Sequence, residues 1–281
     1  MCKYQIKVNG RLLDLDEPIV MGIVNLTPDS FFQASRLITD KTLLNTVEKM
    51  LSDGAAVIDF GGYSTRPQAE EISSDTEIER LSRGLEVVLK KFPGLIVSVD
   101  TFRASVAREM VKQFDVAIIN DIGGGTLDDM MFETIADLGV AYILMHMRGT
   151  PQNMQQLTGY ENVVSEVLAF LQKQIARLRL LGVNDVIADP GFGFAKTAEQ
   201  NFELLNKLNY FQALNVPVLA GLSRKSMIYK SLGITPDEAL YGTTALNMLA
   251  LTGGASILRV HDVKPAVETV RLFQMYKQAG Q

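Results

Sequence analysis

Eight short apolar runs each hand over to polar, glycine-rich or charged residues at their C-terminal ends, and this alternation constrains the fold more than any other feature of the chain. Ile19–Val24 leads to Asn25, Ala56–Phe60 to Gly61-Gly62, Leu95–Val99 to Asp100 and Val116–Ile119 to Asn120-Asp121. Val140–Met145 leads to His146, Val186–Ala188 to Asp189, Val216–Ala220 to Gly221-Leu222-Ser223-Arg224-Lys225, and Ser256–Val260 to His261-Asp262. Helix-patterned stretches separate them. Parallel strands joined by helical crossovers read this way, and eight of them predict an α/β fold, a single (β/α)8 TIM barrel. Such a barrel places its chemistry at the C-terminal rim of the strands, so the polar residues form a first outline of a site.

The 281 residues suit one barrel over 19–278, in a single domain spanning the chain. The first seventeen residues are expected to form a hairpin, because Asn9-Gly10 separates the strand-like runs Tyr4–Val8 and Leu12–Leu15. Such a hairpin would cap the bottom of the barrel. The helical pattern is clear in Thr39–Asp53, in Asp75–Phe92 with Asp75 as its expected N-cap, and in Tyr160–Leu181 before Gly182. Net charge is −5 with no basic run, which argues against nucleic acid or a membrane surface as partner. One cysteine, Cys2, allows no internal disulfide, and the N-terminus has no signal-peptide pattern, so a cytoplasmic location is expected.

Six constellations sit at the expected rim. Asn25, in Met21–Phe31, offers an amide oxygen to a hard cation such as Mg2+, or caps a turn. The segment Gly61-Gly62-Tyr63-Ser64-Thr65-Arg66-Pro67 permits close backbone approach and an anion contact through Arg66 and Thr65. Asp100 and Asn120, on neighbouring strand ends, suit the amide-amidine edge of a flat heterocycle, although N-capping of the following helix is a strong alternative for Asp100 and Asp121 taken singly. Asp189 precedes the glycine-rich turn Pro190-Gly191-Phe192-Gly193-Phe194, whose aromatics wall a ring or pack in the core. Lys225 and Ser226 open a helix whose free N–H groups attract an anion. Arg259 and His261, two apart on a strand, face one way beside the helix start at Lys264-Pro265 and outline a diphosphate cradle. A buried, hydrogen-bonded His261 is the plainer account of that residue taken singly. His146 reads as a packing or rim-lining residue, and Asp59 and Asp121 take no role.

The set MGIVNLTPDSF, GGYSTRP, SVDTF, IND, DPGFGFAKT, GLSRKS and RVHDV, running in order from Met21 to Val263, resembles the dihydropteroate synthases, pterin-binding barrels of bacterial folate biosynthesis. The resemblance implies condensation of (7,8-dihydropterin-6-yl)methyl diphosphate with 4-aminobenzoate, giving 7,8-dihydropteroate and diphosphate. It implies Asp100, Asn120, Asp189 and Lys225 around the pterin, and Asn25, Arg259 and His261 at the diphosphate, with Thr65 also at that substrate and Asn25 at Mg2+. Thr65, Arg66, Pro67, Phe192, Lys225 and Ser226 are implied around the aminobenzoate. Asp100, Asp189, Lys225, Arg259 and His261 are the residues implied to carry the chemistry. A homodimer and response to sulfonamides are further implications.

Two other readings share the pterin pocket. A pterin-dependent methyltransferase barrel has no need of the cradle at Arg259 and His261, and a catalytically altered pterin-binding paralogue has no need of intact Asn25 and Lys225. The chain departs from the family pattern in two segments. Phe32-Gln33-Ala34-Ser35 replaces Ser-Asp-Gly-Gly, Tyr63 stands where Glu is usual and Gln68 where Gly often follows Arg-Pro. Altered affinity for aminobenzoate is the expected consequence. The connections Leu26–Ile38 and Tyr63–Ser74 are the expected lids over the site.

Overall fold

The computed structural model describes residues 4–27, 36–64 and 71–280. Strands β1 (Gln5–Val8) and β2 (Arg11–Asp14) pair antiparallel, turning at Asn9 and Gly10 with φ of 47° and 72°. Two consecutive left-handed residues are what a tight two-residue hairpin turn requires, and Asn-Gly accepts them at least cost. Ile6, Val8 and Leu15 pack with Met21, Val57, Ile118, Ile143, Ile187, Leu219 and Ile257, the inward residues near the starts of the barrel strands. The hairpin therefore plugs the barrel bottom, as its sequence position predicted.

The barrel strands are β3 (Ile19–Asn25), β4 (Val57–Gly61), β5 (Val97–Asp100), β6 (Ile118–Asp121), β7 (Ala141–Met145), β8 (Val186–Asp189), β9 (Leu219–Ala220) and β10 (Ile257–Val260). They are hydrogen-bonded in chain order from β3 to β8, and β10 pairs with both β3 and β9. The last joint, β8 to β9, is a single bridge, Ala188 to Val218. Pro217 accounts for it. The expected strand Val216–Ala220 keeps two ladder residues because proline has no N–H to give, although the Pro217 carbonyl still accepts the Ala188 N–H at 2.9 Å.

Helices α1 (Arg36–Ser52), α2 (Ser74–Lys91), α3 (Ala104–Phe114), α4 (Met131–Leu138), α5 (Val163–Leu180), α6 (Ala198–Asn206), α7 (Ser226–Leu232), α8 (Leu240–Thr252) and α9 (Val263–Ala279) follow the strands in turn, α7 and α8 both after β9. Their apolar stripes meet the outward side chains of the strands in one core that includes Leu81, Leu85, Val106, Met110, Leu171, Leu204 and Phe273. The N-cap of α2 is Ser73, not Asp75, because the Ser73 hydroxyl accepts the Thr76 N–H at 3.1 Å. Among the described residues no helix is long and apolar enough to cross a membrane.

Candidate active site

Strand register assembles the site. Asn25 lies level with Gly61, Gly61 with Asp100, and Asp100 with Asn120, so one belt of the barrel carries three of the predicted residues at the C-terminal rim. A side chain at Gly61 would stand 3.5 Å from Asn25 Oδ1 and 3.8 Å from Asp100 Cβ. Glycine there leaves the space between them open.

Two residues below this belt is Asp59, a position whose sequence context suggests no role. It is fully buried, with the cross-strand neighbour Ser98 donating to Oδ1 at 2.6 Å. Oδ2 accepts Asn120 Nδ2 at 2.9 Å and Arg259 Nε at 2.6 Å. Arg259 Nη2 donates to Asp100 Oδ2 at 2.7 Å. These contacts fix three orientations together. Asn120 spends a donor on Asp59 and turns its carbonyl oxygen elsewhere as an acceptor. Arg259 is pinned between two carboxylates, and its Nη1 makes no hydrogen bond among the described residues. Burial pushes Asp100 above the usual carboxylate range, with Arg259 opposing and Asp59 reinforcing the shift.

Asp189 ends β8. Its Oδ1 accepts the Gly191 N–H at 2.7 Å, in a turn where Gly191 has φ +72° and a Cβ would meet the His146 carbonyl oxygen at 2.0 Å. Glycine is required there on both counts. Burial raises Asp189, while the Gly191 N–H, Lys225, Arg259 and Lys196 all favour its ionised form. Lys225 donates to the Phe192 carbonyl and stands 4.2 Å over the ring of Phe194. Burial pulls Lys225 down to about 8 against the attraction of Asp189, with Arg259 adding to the lowering. Ser226 is the first residue of α7, and Lys225 is its N-cap position with no side-chain cap, so the first N–H groups of that helix are free of one.

His261, at the outer edge of the rim, has Ser223 Oγ 3.1 Å from Nδ1. The same Oγ accepts the His261 backbone N–H at 3.2 Å, so the hydroxyl proton is free to point at Nδ1 and leave Nε2 as the N–H donor. Partial burial, then Arg259 and Arg224, hold the imidazole towards its neutral form. Arg224 ties this loop to its neighbour by a two-pronged pair with Asp262, both contacts at 2.9 Å.

The structure thus brings Asn25, Asp100, Asn120, Asp189, Lys225, Ser226, Arg259 and His261 to one rim. Thr65, Arg66 and Pro67, with the replaced segment 32–35, Gln68, most of the first expected lid and half of the second, lie outside the described residues. Phe192 is 1% exposed and packs in the core, one of the two alternatives its sequence left open. The half-buried ring in that turn is Phe194, beneath the Lys225 ammonium. Tyr63, the departure from the family pattern that is described, is buried: its ring lies edge-on to Phe102 at 5.2 Å, and its hydroxyl accepts from Gln152 Nε2 at 3.0 Å. Asp121 organises the turn after β6, accepting the N–H groups of Gly123 and Gly125 at 2.6 and 2.8 Å.

Residues 21–261 match the model of the family described as pterin binding enzymes. The dihydropteroate synthase of Haemophilus influenzae is 42% identical over 272 residues, 96% of this chain and 98% of that one. The chain belongs to the dihydropteroate synthase family of pterin-binding enzymes. The Escherichia coli dihydropteroate synthase is 41% identical over 94% of each chain. Two solved members align over nearly all of both chains. The Yersinia pestis enzyme with a sulfonamide drug complex has a TM-score of 0.90 at 36% identity, covering 98% of this chain and 100% of that one. The Thermus thermophilus enzyme in complex with 4-aminobenzoate has a TM-score of 0.86 at 37% identity, covering 97% and 99%.

Proposed function

We infer that this chain condenses (7,8-dihydropterin-6-yl)methyl diphosphate with 4-aminobenzoate, forming 7,8-dihydropteroate and releasing diphosphate, as a transferase of tetrahydrofolate biosynthesis. The observation that carries the reading is the Asp59–Arg259–Asp100 arrangement beside Asn120, Asp189 and Lys225. It sets fixed acceptors for a heterocycle's N–H edge next to a guanidinium with a free donor.

Asp100, Asn120 and Asp189 accept from the pterin, and Lys225 donates to it. Arg259 Nη1, His261 Nε2–H and Asn25 take the diphosphate. The carbon–oxygen bond of the pterin methylene breaks, and the electron pair leaves on the diphosphate, where Arg259 and His261 stabilise it. Asp100 and Asp189 favour positive charge left on the dihydropterin, so the step is SN1-like and no covalent bond to the enzyme forms. The arylamine lone pair then closes the carbon–nitrogen bond, and its proton passes to solvent or diphosphate. The amine is nucleophilic at neutral pH; exclusion of water is the harder requirement. Phe194 and the Lys225 aliphatic chain supply one apolar wall, and the N-terminus of α7 at Ser226 faces the aminobenzoate carboxylate, with Thr65, Arg66 and Pro67 assigned to the same substrate.

Mg2+ fits this donor set as a metal that arrives with the diphosphate. Among the described residues no group of three or more metal-ligating side chains is present, and the Asn25 side chain makes no hydrogen bond there. Asn25 would hold the ion through its amide oxygen, a hard donor that suits Mg2+, and the ion when bound would neutralise charge on the leaving group. Sulfonamides are expected to compete with aminobenzoate. Leu249 on α8 and Leu272, Met275 and Tyr276 on α9 are exposed, which supports a homodimer through these helices. A cytoplasmic location completes the reading.

Aminobenzoate-dependent release of diphosphate by the purified chain tests the activity. Positional isotope exchange in the diphosphate bridge, with an inert amine analogue in place of aminobenzoate, tests the SN1-like step; no scrambling while the bound diphosphate is free to rotate would refute it.

A further inference from the structure

Lys196 is 4% exposed, and neither the sequence reading nor the reaction above gives it a role. An ammonium has three N–H donors. Lys196 Nζ meets three acceptors: the Gly191 carbonyl at 2.9 Å, the Phe194 carbonyl at 3.0 Å and His146 Nδ1 at 3.0 Å. The tripod is complete only if His146 carries its proton on Nε2. Burial first, then Lys196 and Arg148, hold His146 neutral, with its folded value down at about 2, which keeps Nδ1 an acceptor.

The two carbonyls belong to the turn that places the substrate-binding groups. Gly191 N–H holds Asp189 Oδ1, and the Phe192 carbonyl, between the two tripod carbonyls, receives Lys225. The geometry points to Lys196 as a positioning residue for the pterin site: with His146 as its fixed acceptor it clamps the 191–194 turn that holds Asp189 and Lys225. This rests on the pterin reading above. Asp189 is faced by Lys225 from the β9 loop, Arg259 from β10 and Lys196 from its own loop. Burial pulls Lys196 itself down to about 7 against the attraction of Asp189, with Lys225 and, from the β7 loop, Arg148 adding to the lowering, so the full tripod belongs to the lower part of the pH range. Removing one of three cations around Asp189 is therefore expected to raise the pH at which that carboxylate is neutralised.

The test is calorimetric binding of 6-hydroxymethylpterin to Lys196→Met, His146→Asn and His146→Leu across pH 5 to 8, with thermal melting of each. Wild type must bind first; if it does not, the pterin reading itself fails and the inference with it. With binding in hand, Lys196→Met should weaken affinity by about tenfold or more, the loss typical of a charge-assisted hydrogen bond, and move the acid limb of the binding profile to higher pH. His146→Asn presents an amide oxygen near the Nδ1 position and should bind close to wild type, whereas His146→Leu should fall towards Lys196→Met. If Lys196→Met does not fold, the His146 pair decides alone. Equal binding by His146→Asn and His146→Leu, or a weakened Lys196→Met with an unmoved acid limb, would overturn the inference.

Discussion

Asp59→Asn separates charge from shape at the centre of the site. The amide can place its oxygen where Oδ2 stands, accepting from Asn120 and Arg259, and turn its NH2 to Ser98, whose hydroxyl rotates to accept. Every hydrogen bond survives; what is lost is the charge opposite a buried guanidinium. Stripping one partner from a buried ion pair typically costs about 3–5 kcal/mol, but Arg259 keeps Asp100, so the cost falls to roughly 2 kcal/mol. For a chain of this size that corresponds to a fall in Tm of about 4–8 °C. Arg259, left with Asp100 as its one charged partner in this pair of carboxylates, should also shift from the place proposed for it at the leaving group, lowering kcat/KM for the pterin diphosphate about tenfold, or 1.4 kcal/mol of transition-state stabilisation. Asp59→Ala, which also frees Asn120, should lose more on both measures. Differential scanning calorimetry and steady-state diphosphate release read the two effects. An Asp59→Asn protein with unchanged Tm and unchanged kcat/KM would refute the argument that Asp59 holds Arg259 by charge.

Three further outcomes are expected. His146 has a folded value of about 2, below its ordinary 6.5, so the unfolded chain binds the extra proton: stability is full above pH 6.5 and falls as pH drops, by up to about 1.4 kcal/mol per pH unit. The Tm of His146→Asn should accordingly fall less steeply than wild type between pH 6.5 and 5, and parallel curves would count against the assignment. Gly191→Ala forces a left-handed alanine into the His146 carbonyl, and a loss of roughly 3 kcal/mol or more, seen as reduced soluble yield and Tm, is the expected result. Tyr63→Glu removes the hydroxyl that binds Gln152 and sets a carboxylate beside the Glu77–Arg103 pair, and should change KM for 4-aminobenzoate; an unchanged KM would remove Tyr63 as a source of amine selectivity.

The barrel and most of its rim were legible because both depend on local pattern. An inward strand end has few uses for Asp, Asn or Arg except chemistry, and Asn25, Asp100, Asn120 and Asp189 stand at four of them. Asp59 escaped because it sits inside an apolar run rather than at its end. Its signal was present in the alternation: Ile58 and Phe60 pack outward in the main core, which turns Asp59 inward, where a carboxylate needs a cation. The choice between Phe192 and Phe194 was not legible. Two residues apart around a left-handed glycine, their directions depend on φ +80° at Gly193, which no periodicity reports. Lys196 was hidden for a related reason, since its three acceptors are two main-chain carbonyls and a histidine fifty residues away.

The single bridge between β8 and β9 makes the barrel a hoop with a clasp. Asp189 belongs to one side of that clasp, and Lys225 follows the strand on the other. On the proposed function, a pterin held by both groups would span the gap, a rung that Pro217 prevents the backbone from supplying. Binding and closure then become linked equilibria: prising the hoop open releases the ligand, and saturating the ligand raises the free energy of opening by its own binding term. Amide exchange at Ala188 and Ile257, whose N–H groups are bonded across or beside this joint, would register the occupancy of a site on the rim as a slowing of motion in the wall beneath it.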